Sequence, residues 1–547
     1  MITLDGHSLT IEQLAQVARD PGVRVKRHPS TDERVAKCEE LIARVVENYR
    51  RAFERGETPA TEYGVTTGFG EFKDKRIAPD DLEQLQRNVL LSHSVGVTGE
   101  GSYFDAEVVR AALVTRLNAF LLGYSGVRRT MVDIVEAMVN RNVVPLVPLK
   151  GSVGASGDLC PLAHTFATLL GVGQFSVAGK IHDATELPKI LGFDADAMKP
   201  TFKEGLALLN GVNFSAGMLA LGVHDAEHLA EMADTAAALT LEAMCGCTRA
   251  LDAKVQAARG HPGQIRSAAR MRELVEGSTL VERADAVQDA YSLRCAPQVH
   301  GASRDAIGFA RGTAEREINA ATDNPLFFPD EGDVAYSAGN FHGQPIAIAA
   351  DLLSIAVAEL ANISERRTQM LLDGNHNRGL PRNLTTRPGV NSGLMIAQYT
   401  AASLVSENKV LSHPASVDSI PTSSNAEDHV SMSTHAARKM RTVLRNAENV
   451  IAIELFVAAQ ALDWRVGMSI DPRSARREMS LDDADEQARQ FESVQSKSVA
   501  AGIAPSLRDV YLRLRKISPA VTRDRALSGD VQRVHETFFN VGRRTTL

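Results

Sequence analysis

Apolar residues recur every three to four positions over most of the chain, the spacing of helices rather than strands. Across residues 105–122 they place Val109, Leu113, Leu117, Phe120 and Leu121 on one face, and Gly123 follows as a stop. Thr130 with Asp133 predicts a capping box for the next helix, which "VVPLVP" at 143–148 ends. In the second half, no proline falls between Pro421 and Pro472, and the helical spacing is unbroken over residues 430–466. Such a helix is on the order of 50 Å long. Within it "RNAENVIAIELFVAAQALDW" is apolar on most faces, as are residues 346–363. Helices apolar all round are buried all round, which helices shared between subunits achieve easily. The pattern therefore predicts a homo-oligomer with a core of long, near-parallel helices.

Strand signals are weak and local: "KIHDATE" at 180–186 and "DVAYSA" at 333–338. No alternation of strands with helices occurs, which excludes a doubly wound nucleotide fold. The expected fold is mainly α: a long central helix bundle over residues 201–473 and a smaller N-terminal domain over residues 1–200. Residues 474–547, charge-rich as in "RREMSLDDADEQARQ", read as a peripheral helical segment.

Composition narrows the function. A chain of 547 residues with 44% apolar content affords a large core. The net charge of -7 is spread along the sequence, which argues against nucleic acid as a partner. The five cysteines, Cys38, Cys160, Cys245, Cys247 and Cys295, are scattered and odd in number, which suits a reducing compartment and structural roles. Cys245 and Cys247 lie too close for a metal knuckle, and His429 and His435 lack a paired-ligand spacing, so no metal is expected. The first twenty residues hold no apolar signal core, so the expected location is cytoplasmic. "PIAIAADLLSIAVAELANI" carries Asp351 and Glu359, and reads as a buried helix rather than a membrane span.

One stretch stands apart: "GSVGASGDLCPLAH", residues 151–164. Ser156 or Asp158 suits the cap of a following helix. A serine nucleophile on an elbow needs Gly-x-Ser-x-Gly after a strand, and here the second glycine follows Ser156 directly. A phosphate loop needs a Gly-Lys-Ser/Thr that is missing. A fourth reading uses the composition itself. If the nitrogen of Gly157 attacks the carbonyl carbon of Ala155, a five-membered ring closes. Loss of one water from the ring and a second with the Ser156 hydroxyl leaves a methylidene-imidazolone, an electrophile made of backbone. Glycine suits the attacking position because it has no Cβ and adopts strained angles.

This stretch resembles the signature of the aromatic amino acid ammonia-lyase and aminomutase family. "YGVTTGFG" (63–70), "ALLNG" (207–211), "QDAYSLRCAPQV" (288–299), "TDNPLF" (322–327), "GNFHGQP" (339–345) and "NAEDHVSM" (425–432) resemble further family blocks, in family order. The resemblance implies a fumarase/aspartase-like helical fold and a homotetramer whose active sites draw on several subunits. It implies elimination of ammonia from an aromatic L-amino acid, with the electrophile built from Ala155, Ser156 and Gly157. Tyr63 is then the base that takes the β-proton. A free tyrosine has a pKa of about 10, so its phenol is expected to be depressed by positive charge or hydrogen bonds. By the same resemblance Arg294 holds the substrate carboxylate through its guanidinium fork. Asn210, Gln288 and the catalytic Tyr291 hydrogen-bond the carboxylate, the amine or the electrophile, and Phe341 packs near the ring.

Two positions speak to the substrate side chain. Ser92-His93 resembles the histidine-specific branch, and Glu427 stands where phenylalanine and tyrosine lyases usually have glutamine. A phenyl ring would leave both His93 and Glu427 unpaired, at about 1–3 kcal/mol each. Thr66-Thr67-Gly68, Gly343-Gln344 and "LNGVN" depart from that branch; Gly343-Gln344 is similar to bacterial tyrosine aminomutases, some of which also carry Ser-His where this chain has Ser92-His93. The expected reaction is L-histidine to trans-urocanate. The alternative is a tyrosine or phenylalanine ammonia-lyase or an aromatic 2,3-aminomutase.

Overall fold

The helical spacing is realised almost throughout. The computed structural model describes residues 1–99, 101–332, 335–473 and 481–540. Four helices build the neighbourhood of the glycine-rich loop: α1 (Leu82–His93), α2 (Ala106–Phe120), α3 (Leu159–Ala167) and α4 (Glu204–Leu209). Four longer ones form the bundle: α5 (Asn213–Ala243), α6 (Ala296–Glu317), α7 (Gln344–Leu372) and α8 (Ser433–Leu462). α8 packs along α5 and α7, and α6 closes the far side against both. One hydrophobic core runs from Ile2 to Phe539.

α8 ends in a single π-helical turn, Asp463–Gly467, so the helical path extends as far as its apolar spacing does. Every side chain from position 450 to 462 is buried. The polar ones among them have partners. Glu454 accepts two bonds from Arg367, at 2.6 and 2.7 Å, and one from Thr240 at 2.8 Å. α8 is therefore enclosed within one chain, and its burial does not require a second subunit. The segment expected to be peripheral does part of the enclosing. Pro505–Ile517 and Ser528–Phe538 lie against α8. Tyr511 donates to Asp463, Arg515 pairs with Asp463 at 2.8 Å, and His535 meets Glu448 at 2.9 Å. Residues 474–480 of its charged start lie outside the described residues.

α7 behaves differently. By length and hydropathy it meets the requirement for a membrane span, contrary to the expectation, yet 72% of its most apolar window is buried in the bundle. Its outer face leaves Ile348 and Ile355 exposed, and the helix Met395–Leu411 exposes Ile396, Tyr399 and Val410.

Three small sheets decorate this frame. β1 (Ile2–Leu4) pairs in parallel with β2 (Val25–Arg27); β3 (Val144–Pro145), β4 (Gln174–Val177) and β5 (Lys180–Asp183) form an antiparallel set; β6 (Leu326–Phe327) pairs with β7 (Ala335–Tyr336). β5 and β7 fall on the two stretches with strand character. The others have two to four residues, too few for period-two alternation to register.

The capping box at Thr130 does not form. Arg129–Asn140 starts after Arg128, with no side-chain cap. Arg128 is fixed instead by Glu204, which accepts its backbone N–H at 2.8 Å and its guanidinium at 2.8–3.0 Å. Asp133 turns away to pair with Arg27.

Candidate active site

The 151–158 loop is held between the starts of α5 and α8. The Met432 N–H donates to Val153 O at 3.0 Å, and the Asp158 N–H donates to Gly211 O at 2.7 Å. Asp158 stands at the N-cap of α3, but its side chain makes no capping bond. Its carboxylate is buried and accepts from Ser215 N and Oγ, at 2.8 and 2.6 Å, and from Thr434 Oγ1 at 2.6 Å. No strand runs directly into Ser156, so no nucleophile elbow is present.

Inside the loop the backbone is strained. Ser156 has φ 49° and Gly157 φ 82°. A serine in the left-handed region costs about 1–2 kcal/mol, and such outliers gather at functional sites. The Gly157 N–H closes a turn onto Gly154 O at 3.3 Å. A Cβ at 157 would lie 2.3 Å from Gly211 O, and one at 154 would lie 2.4 Å from Ser431 Oγ. Only glycine fits either place. The turn that brings Ala155, Ser156 and Gly157 together is thus compressed from two sides.

Ser156 faces a cavity of about 520 Å³. Six of the residues singled out in the sequence meet there: Tyr63, Ser92, His93, Ser156, Asn210 and Glu427. Leu85 and Val89 of α1 and Leu206 and Leu209 of α4 give it apolar walls. Ser156 Oγ donates to Glu427 Oε1 at 3.3 Å, and Thr422 Oγ1 donates to Glu427 Oε2 at 2.7 Å. Ser92 Oγ and His93 Nδ1 are hydrogen-bonded at 3.0 Å. Burial lowers the His93 pKa, and the negative charge of Glu427 opposes that. Asn210 does stand as the C-terminal cap residue of α4, yet it also lines the cavity. Its Nδ2 donates to Asn324 O at 3.0 Å, and its buried Oδ1 has no partner.

Tyr63 departs from expectation. Burial raises its pKa, and Glu427 raises it further; only the Gly70 N–H, donating to the phenol oxygen at 3.3 Å, works the other way. Glu427→Gln removes the nearby negative charge, so the phenol pKa falls. If the phenolate is the active form, the ascending limb of the kcat/KM profile moves to lower pH in that variant. A pH–rate series on both proteins checks this.

Ala155 and Gly157 flank Ser156 in the loop, and the other four residues do not reach the cavity within one chain. Gln288 and Tyr291 are exposed, Tyr291 at 71%. The Arg294 guanidinium lies 4.4 Å from the Tyr291 ring centre. Phe341 is half-buried and precedes His342, whose ring stacks on that of His429. The 288–294 stretch is tied to its own bundle instead. Asp289 accepts from Cys247 N and Arg378 Nη2, both at 2.6 Å.

Some lining residues went unread in the sequence. Glu71, Phe72, Lys75 and Ser423 also line the cavity. They flank blocks that ended at Gly70 and began at Asn425, and extending either block would have found them. Behind the wall, Lys203 and Asp323 form an ion pair with both side chains fully buried. Lys203→Ala strands Asp323 and should cost about 3–5 kcal/mol, read as a lowered urea midpoint at unchanged slope.

A helix bundle that presents a strained, carboxylate-faced turn to a largely apolar cavity defines an enzyme of the helical lyase class. The chain belongs to the aromatic amino acid lyase family, whose model matches residues 9–486. It is 50% identical over 468 residues to the histidine ammonia-lyase of Caldanaerobacter subterraneus subsp. tengcongensis, covering 85% of this chain and 89% of that one. Among solved structures it resembles histidine ammonia-lyase from Trypanosoma cruzi, with TM-score 0.82, 36% identity and coverage of 98% and 93%. It also resembles tyrosine aminomutase from Streptomyces globisporus, with TM-score 0.84, 33% identity and coverage of 98% and 97%.

Proposed function

We propose that this chain is an ammonia-lyase that converts L-histidine to trans-urocanate, using a methylidene-imidazolone formed from Ala155, Ser156 and Gly157. The loop fits that group: glycine stands at both compressed positions, and Ser156 supplies a β-hydroxyl at a strained φ. When formed, the group supplies an electron sink that makes the substrate amine a better leaving group.

One observation carries the choice of substrate: His93 and Glu427 face the same cavity as Ser156. An imidazole can bond to both, whereas a phenyl ring offers no partner to the remaining nitrogen of His93 or to the Glu427 oxygen facing Ser156, and a phenol can serve only one of them. The departures toward the aminomutases have packing roles. A Cβ at Gly343 would lie 2.4 Å from Ser433 Oγ, and Gln344 Nε2 donates to Ser416 O at 2.9 Å. Neither lines the cavity.

Tyr63 takes the β-proton in this reading. The cationic help its phenol needs comes from groups that enter with the substrate or on assembly. Assembly also accounts for Gln288, Tyr291, Arg294 and Phe341, which are presented by one chain to the cavity of another in a homotetramer. The exposed apolar residues of α7 and of Met395–Leu411 support such a contact. Arg294 of the partner subunit then holds the carboxylate in two-point fashion.

Parallel incubation with L-histidine, L-tyrosine and L-phenylalanine, read by near-UV absorbance and mass spectrometry, tests the proposal. Urocanate from histidine is expected. A β-amino acid would identify an aminomutase, and a cinnamate-type product alone would overturn the histidine assignment.

A further inference from the structure

We infer that Arg116 activates the electrophilic loop from behind, by polarising the Asn210–Gly211 peptide that hydrogen-bonds to Ser156. The inference rests on the cyclisation proposed above. Arg116 lies in α2 and is completely buried. Its Nη2 donates to the Asn210 carbonyl oxygen. The N–H of that same peptide unit, on Gly211, donates to the Ser156 carbonyl oxygen at 3.3 Å. Guanidinium, peptide and loop carbonyl therefore stand in one line of donors and acceptors.

The cation has little else to do. Its Nε and Nη1 make no hydrogen bond, and among the described residues no carboxylate stands within ion-pair distance of it. Asp323 is taken by Lys203, and Asp158 by Ser215 and Thr434. The Phe120 ring, 5.2 Å away, is its other neighbour of note. Burial brings its pKa down to about 10, which leaves it charged at neutral pH. A desolvated cation with idle donors is costly to retain, so a purely scaffolding role is a poor account of it. Gly211 admits the approach, since a Cβ there would lie 2.6 Å from Arg116 Nη2.

In the cyclised loop, the Ser156 carbonyl oxygen is the exocyclic oxygen of the ring. Electron density drawn into the ring collects on that oxygen. A cation bound to the oxygen of an amide makes its N–H a stronger donor, because hydrogen bonds in a chain polarise one another. In a dry site such preorganised donors act strongly on developing charge. Arg116 is thus a positioning residue that touches neither substrate nor reacting atoms.

The test uses Arg116→Gln and Arg116→Lys in the full-length enzyme, with three readouts: mass of the tryptic peptide spanning residues 151–180, rate of cyanide uptake by the ring, and melting temperature. Cyanide probes the electrophile without substrate. The Gln variant should cyclise yet take up cyanide about tenfold more slowly or worse, and the Lys variant should recover part of the rate. A cyclised Gln variant with the wild-type rate overturns the role of Arg116 alone. An uncyclised wild type overturns instead the reading on which it rests. Should the variants fail to fold or cyclise, ultraviolet resonance Raman of the wild-type ring decides. Its carbonyl stretch should lie below that of a free methylidene-imidazolone, and an unshifted band overturns the inference.

Discussion

Ser156→Ala should leave the fold intact and lower turnover of L-histidine by about 10³-fold or more. Alanine has no β-hydroxyl to lose, so no exocyclic methylene forms, even if the ring closes. The fold has little reason to respond. The loop is held by backbone bonds of Val153, Gly157 and Asp158 and by the buried Asp158 carboxylate, none of which involves the Ser156 side chain. That side chain makes one hydrogen bond, at 3.3 Å to Glu427, worth about 1 kcal/mol or less. Circular dichroism and melting should therefore match the wild type while activity vanishes. Partial activity of more than a few per cent would mean that another group performs the chemistry.

The second large effect concerns Arg294. Arg294→Ala should reduce kcat/KM by about 10²-fold or more, since the substrate carboxylate loses its charged two-point partner. The more informative experiment mixes that variant with Ser156→Ala by co-expression. Each alone should be nearly inactive. In a mixed assembly, some cavities combine an intact Ser156 from one chain with an intact Arg294 from another, and activity should rise well above either parent. Arg294 sits beside the exposed Tyr291 and outside the cavity of its own chain, so complementation is the signature expected. If the two residues served the same chain's cavity, mixing would restore nothing.

The two largest features of the molecule were legible in the sequence for different reasons. The bundle announces itself through periodicity, because α7 and α8 repeat apolar residues over about eight turns each. The loop announces itself through composition, because so many small residues in one place serve no ordinary core. Convergence of Tyr63, His93, Ser156, Asn210 and Glu427 on one cavity was legible only through resemblance, since no local pattern joins residues so far apart in the chain.

What stayed hidden is set by long-range contacts. Arg128 displaces the expected Thr130 cap because Glu204, far along the chain, holds it. α2 reads as one apolar face, but it is buried all round, and Arg110 and Asn118 find partners from other elements. α8 reads as needing a second subunit, but the C-terminal helices cover it through Tyr511, Arg515 and His535. In each case a charged or polar group is satisfied by a residue that no window of local sequence contains. The raised pKa of Tyr63 belongs with these, for it depends on burial and on Glu427 across the cavity.

Chemical closure of the loop is the claim from which substrate capture, the need for Tyr63 and the role of Arg116 all descend. High-accuracy mass spectrometry of the tryptic fragment from Gly151 to Lys180, taken from purified active enzyme, addresses it without reference to any substrate. A fragment two water molecules lighter than its thirty-residue sequence is the predicted result. A fragment at its full, unmodified mass would contradict the account.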